Sequence, residues 1–97
     1  MCGAPDQATL PALEISPNEA VIHGTVVKDG APFPGAYVRL LGEAGEFTAE
    51  VQTSATGYFR FYAADGSWTL RTLAPGQSVD TATSAKKGQA TEVSVQL

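Results

Sequence analysis

A chain of 97 residues that is 43% hydrophobic supports one modest core, not two, and is too apolar to be disordered throughout. Its formal net charge of −4 argues against a nucleic-acid partner held by phosphate neutralisation, and Lys86-Lys87 is its one adjacent basic pair. Ten glycines and six prolines between short apolar runs indicate β-structure with frequent turns.

The single cysteine, Cys2, can form no intramolecular disulfide, and one free thiol in so small a chain fits a reducing compartment better than secretion. The first residues lack a basic region followed by an apolar stretch, so neither a signal peptide nor lipoprotein-type acylation of Cys2 is expected. No apolar run approaches the roughly 20 residues that span a bilayer. A cytoplasmic protein with no membrane partner is the expectation.

In chain order, residues 1–19 read as an extended arm, because Pro5, Pro11 and Pro17 disfavour both a helix interior and a central strand. Leu10, Leu13 and Ile15 are positioned to pin that arm to a domain formed by residues 20–97. The first strand is Ala20–Val27, with Ile22, Gly24 and Val26 on one face and Val21, His23 and Thr25 on the other. Gly24 inside a strand signals close approach by a neighbouring ring or backbone, with Trp68 or a Phe as the candidate. Lys28 to Gly35 reads as a loop. Ala36–Leu41 then turns Ala36, Val38 and Leu40 inward and Tyr37 and Arg39 outward, and Phe47–Gln52 aligns Phe47, Ala49 and Val51 on one side.

The stretch from Ser54 to Arg71 organises the rest. Tyr58–Ala63 carries four of the eight aromatics within five residues, Phe59 and Phe61 on one face and Tyr58, Arg60 and Tyr62 on the other. Asp65-Gly66 supplies reversal chemistry, and Ser67–Leu73 returns with Trp68 and Leu70 together, which reads as a hairpin. Val79–Thr83 is a Thr-rich edge strand, and Thr91–Leu97 closes the domain with Val93, Val95 and Leu97 alternating. Seven short strands without a 3.6-residue period predict an all-β sandwich.

Candidate chemistry is sparse. His23 is the only histidine, and no nucleophile or orienting acid is grouped with it in the sequence. One Cys and one His are too few for a zinc site, and the loop carboxylates match no calcium spacing, so no metal and no cofactor are expected. Gly42-Glu-Ala-Gly45 joins two strands and opens no helix, so it is no phosphate cradle. Tyr58, Arg60, Tyr62 and Arg71 project from one face of the expected hairpin and form a candidate partner-binding surface, since Tyr and Arg are enriched where proteins recognise each other.

Four segments occur in order: Gly24-Thr-Val-Val-Lys-Asp-Gly30, Pro34-Gly35-Ala36-Tyr-Val38-Arg-Leu40, Thr56-Gly57-Tyr-Phe59-Arg-Phe61 and Gly66-Ser-Trp68-Thr-Leu70-Arg71. Together they resemble the carboxypeptidase regulatory-like domain, which implies a seven-stranded prealbumin-like (transthyretin-like) sandwich with Ig-like Greek-key character. That fold serves structural, binding and spacer roles alike. The 5-hydroxyisourate hydrolases of the fold carry several functional histidines and a Tyr-Arg-Gly-Ser-like C-terminus. This chain, with His23 alone and the ending Glu92-Val-Ser-Val-Gln-Leu97, departs from them.

A narrower likeness rests on Met1-Cys2-Gly3-Ala4-Pro5, Phe47-Thr-Ala-Glu-Val51 and Gly66-Ser-Trp-Thr-Leu-Arg71. These segments resemble an actinobacterial family of about one hundred residues with a domain-of-unknown-function label, associated with sulfur metabolism because its members are encoded beside thiosulfate sulfurtransferases. The resemblance implies a non-enzymatic accessory or binding protein with such a sulfurtransferase as partner. Two alternatives stand beside it: a persulfide carrier using Cys2, made N-terminal by removal of Met1 and favoured as thiolate by the adjacent α-amino charge, and a purely structural module.

Overall fold

The computed structural model describes residues 18–97, in which the alternating segments form eight strands and no helix. These are β1 (Ala20–Lys28), β2 (Ala31–Pro32), β3 (Tyr37–Leu41), β4 (Phe47–Gln52), β5 (Tyr58–Ala63), β6 (Gly66–Ala74), β7 (Gln77–Ala85) and β8 (Ala90–Gln96). The arm expected over residues 1–19 lies outside the described residues up to position 17. The strand beyond the expected seven is β2, where a loop was expected. Asp29, at a φ of 53°, turns the chain so tightly that Ala31 and Pro32 fold back on Lys28 and Val27.

β1 is the hub of the first sheet. It pairs antiparallel with β5 from Ala20 to Thr25 and parallel with β8 from Val21 to Val27. The second sheet runs β4-β3-β6-β7 and is antiparallel throughout. The two sheets stack as a sandwich around Ile22, Val26, Val38, Leu40, Phe59, Phe61, Leu70 and Val95, with Trp68 and Val93 packed at the margin. The residues with inward alternation in the sequence are these, because a two-residue period leaves one face of each strand for the core.

Two sequence signals find their physical cause here. A Cβ on Gly24 would stand 1.6 Å from the carbonyl oxygen of Val93, so the backbone of β8, and not Trp68 or a Phe ring, is what requires glycine there. At Thr56-Gly57, the Ser54 hydroxyl accepts hydrogen bonds from the amides of Thr56 and Tyr58 (both 3.2 Å), and the Gly57 carbonyl accepts from Val26 N–H at 2.8 Å. Gly57, at a φ of 75°, lies so close to β1 that a Cβ would stand 2.5 Å from the Val26 carbonyl oxygen. The turn before β5 is thereby fastened to β1.

Two expectations are corrected. β5 and β6 are not a hairpin: β5 belongs to the first sheet and β6 to the second, and the chain crosses between them at Ala64-Asp65. Trp68 Nε1 donates to the Ala64 carbonyl at 2.9 Å and steadies that crossing. The apolar faces of the two strands consequently enter the shared core from opposite sheets. Phe47 does not join Ala49 and Val51 at the core either. The pairing steps from Leu40–Ala49 to Leu41–Phe47, so the bulge passes over Thr48 and turns Phe47 outward, where it is 62% exposed.

Candidate functional site: the outer face of the first sheet

Strand alternation places Val21, His23 and Thr25 of β1, Tyr58, Arg60 and Tyr62 of β5, and Glu92 of β8 on the outer side of the sheet, where Val21 is nevertheless fully buried. In register, His23 lies between Arg60 and Glu92, and Thr25 beside Tyr58. Three of these side chains are joined by hydrogen bonds. Arg60 Nε donates to the Tyr58 hydroxyl at 3.2 Å, and that hydroxyl lies 3.1 Å from His23 Nδ1. Since Tyr58 Oη accepts from arginine, its own proton is available for Nδ1, an arrangement that puts the neutral imidazole's proton on Nε2.

The Arg60 guanidinium also stands over the Tyr58 ring, 5.6 Å from its centroid, and the imidazole and phenol rings are tilted at 60° with centroids 5.9 Å apart. Burial opposes the arginine's charge, but hydrogen bonds with Tyr58 and Tyr62 outweigh it and raise its pKa above the ordinary arginine value. His23, Tyr58 and Arg60 are half-buried, whereas Tyr62 is 58% exposed. The site is thus a preorganised cation flanked by phenols. Hydrogen-bond donors are what it offers a ligand: the guanidinium edge and, in that tautomer, His23 Nε2–H.

Of the expected surface, Tyr58, Arg60 and Tyr62 are brought together and Arg71 is not. Arg71 lies on β6, on the outer face of the other sheet, where its Nε and Nη2 donate to the two carboxylate oxygens of Asp80 at 2.9 and 3.1 Å. Beside it in register stands Arg39, whose Nε donates to Glu50 at 2.7 Å. This face carries a row Glu50–Arg39–Arg71–Asp80, with each arginine paired to its own carboxylate. His23, which the sequence presents without a partner, is a further member of the first-sheet cluster. Its sequence signal was only its position on the same strand face as Val21 and Thr25.

Cys2, the candidate sulfur-carrier thiol, lies outside the described residues. Among the described residues no three His, Cys, Asp or Glu side chains gather as metal ligands, and no helix is long and apolar enough to cross a membrane.

The chain belongs to the family of proteins of unknown function DUF1416, whose model matches residues 2–97. It is 48% identical to each of the uncharacterised proteins Rv0814c and Rv3118 of Mycobacterium tuberculosis, over all of this chain and 99% of theirs. An uncharacterised protein of Mycolicibacterium smegmatis is 59% identical over 57% of this chain and 62% of its own length. Among solved structures, a DUF3823 family protein from Parabacteroides merdae superposes with a TM-score of 0.65 at 19% identity, over 84% of this chain and 46% of that one. The dioxygenase domain of a dioxygenase–carbohydrate-binding protein fusion from a Streptomyces species superposes with a TM-score of 0.63 at 16% identity, over 96% of both chains. At such identities these two likenesses speak for the fold alone.

Proposed function

We propose that this protein is a non-catalytic cytoplasmic binding module that presents the outer face of its first sheet to a partner, with Arg60 as the anchor for an anionic group. One observation carries the reading. Of the three arginines, all on strands, Arg39 and Arg71 are ion-paired, while Arg60, among the described residues, is held by the Tyr58 phenol and has no carboxylate within 4 Å. In a chain with ten acidic residues and a net charge of −4, a cation fixed in place without a carboxylate is a recognition feature, since planar bidentate donors suit carboxylate and phosphate groups.

The resemblance described above makes a thiosulfate sulfurtransferase the first partner to try, through an acidic side chain on its surface. The test is a calorimetric titration of the wild type and of Arg60→Glu with purified thiosulfate sulfurtransferase from the same organism. Wild type should bind and Arg60→Glu should not. Absence of binding by wild type would remove the sulfurtransferase, and unchanged binding by a folded Arg60→Glu would remove the face.

A further inference from the structure

We propose that β7 is a homodimer edge, and that two copies of the chain join their second sheets by antiparallel pairing of Gln77–Ala85 with itself. β7 ends the second sheet and at nine residues is longer than β4, β5 or β8, which have six, six and seven. None of its backbone groups forms a hydrogen bond outside the ladder with β6 among the described residues. An open edge is a template for another strand, and proteins usually blunt one with Lys, Pro or a bulge. The sequence Gln-Ser-Val-Asp-Thr-Ala-Thr-Ser-Ala has no Lys, Arg, Pro or Gly. Its one charge, Asp80, is occupied by Arg71. By contrast β4 lies across the bulge and carries Glu50, β8 carries Glu92 and β5 carries Arg60.

The occupant follows from the strand's own symmetry. In a two-fold antiparallel pair, opposing residues share a sheet face, so the axis passes through a residue and not between two. Full overlap of Gln77–Ala85 places Thr81 on that axis. Val79 then opposes Thr83 and Thr81 opposes Thr81 on the inner face, where β-branched pairs pack well. On the outer face Ser78 opposes Ser84, and Asp80 opposes Ala82. A shift of the axis to Asp80 would set two carboxylates against each other and leave Ser84 and Ala85 unpaired. Full overlap thus gives the longest ladder and the one without opposed like charges, with about eight to ten new backbone hydrogen bonds. A strand whose chemistry reads nearly the same in both directions, Ser-Val-Asp-Thr-Ala-Thr-Ser, is suited to its own copy.

Pairing at this edge consumes nothing on the outer face of the first sheet. The dimer carries two Arg60 clusters, so a multivalent partner would be held with avidity.

The register makes a charge-specific demand at Ala82, an exposed residue that faces Asp80 of the second copy. Sedimentation of the full chain across a concentration series should show a monomer–dimer equilibrium. Ala82→Asp should weaken dimerisation at least about tenfold by setting carboxylate against carboxylate, and Ala82→Lys should strengthen it, with thermal melts reporting that both variants are folded. Amide exchange of the wild type supplies the same answer without a substitution, as protection of Gln77–Ala85 that rises with protein concentration. A wild type that stays monomeric throughout the series would overturn the proposal. So would equal effects of Ala82→Asp and Ala82→Lys, or exchange in β7 that ignores concentration.

Discussion

The two outer faces of the sandwich handle arginine in opposite ways. On the second sheet, Arg39 and Arg71 are neighbours in register, a like-charge contact that is tolerable because Glu50 and Asp80 flank them from the two edge strands. On the first sheet, Arg60 has, among the described residues, the Tyr58 phenol where the others have carboxylates. Ion pairing spends an arginine within the fold, whereas a phenol fixes the guanidinium in space and leaves its charge to attract something else. Position on a β-sandwich face is therefore not what distinguishes these arginines; the group that holds each one is.

The largest test of the contrast is Gly24→Ala. Its methyl group would collide with the Val93 carbonyl, which no side-chain adjustment can relieve, so β1 and β8 must separate at a cost of about 3 kcal/mol or more. A chemical-denaturation curve should show that loss, together with loss of the His23–Tyr58–Arg60 constellation that β1 and β5 share. A variant as stable as wild type would mean that the pairing of β1 with β8 is misplaced.

Next comes the paired comparison of Arg60→Ala with Arg71→Ala in binding to the proposed sulfurtransferase partner. Arg60→Ala should cost about 2 kcal/mol of binding, roughly thirty-fold in affinity, with a thermal melt close to wild type. Arg71→Ala should bind as wild type does. Equal losses in both would erase the distinction between the faces.

A smaller effect is expected inside the second sheet. The Thr72 hydroxyl is fully buried and is the one buried side-chain polar atom without a hydrogen-bond partner among the described residues. Thr72→Val keeps the shape and removes the unmet group, so it should raise stability by about 1 kcal/mol, read as a higher denaturation midpoint. A destabilised variant would show that the hydroxyl has a partner.

The smallest effect is one of pH. The hydrogen bond from Arg71 holds Asp80 below the usual carboxylate range. A carboxyl with a depressed folded pKa adds stability that is present above its unfolded pKa and disappears as pH falls through the folded one. The gap between wild type and Asp80→Asn should accordingly be present at neutral pH and close in the acid range below ordinary carboxylates. The gap between wild type and Arg60→Ala should not change over that range, because among the described residues no carboxylate is ion-paired with Arg60.

Much of this architecture is legible along the chain. Alternation over Ile22, Val26, Val38, Leu40, Phe59, Phe61 and Leu70 assigns the inner faces, and it does so because a strand presents every second side chain to the same side. The edge character of Val79–Thr83 is visible in its poverty of large apolar groups. Phe47 is misassigned because a bulge changes phase without any local mark in the sequence. Arg71 is misassigned for a different reason. Two strands joined by a short turn satisfy the same alternation either as neighbours in one sheet or as facing strands of two.

By itself, then, the sequence determines that strands form and which side of each is apolar, since both follow from periodicity; the contacts that forbid a side chain at Gly24 and Gly57 come from Val93 and Val26, far along the chain. Only the tertiary structure decides which strands lie beside one another. That choice rests on burying the inner faces of the two sheets, with Phe59 and Phe61 of β5 and Leu70 of β6 in one core, a non-local gain that no window of residues contains. The same choice sends Tyr58, Arg60 and Tyr62 to one outer surface and Arg71 to the other, brings His23 to Tyr58, and leaves Arg60 without an ion-paired carboxylate among the described residues.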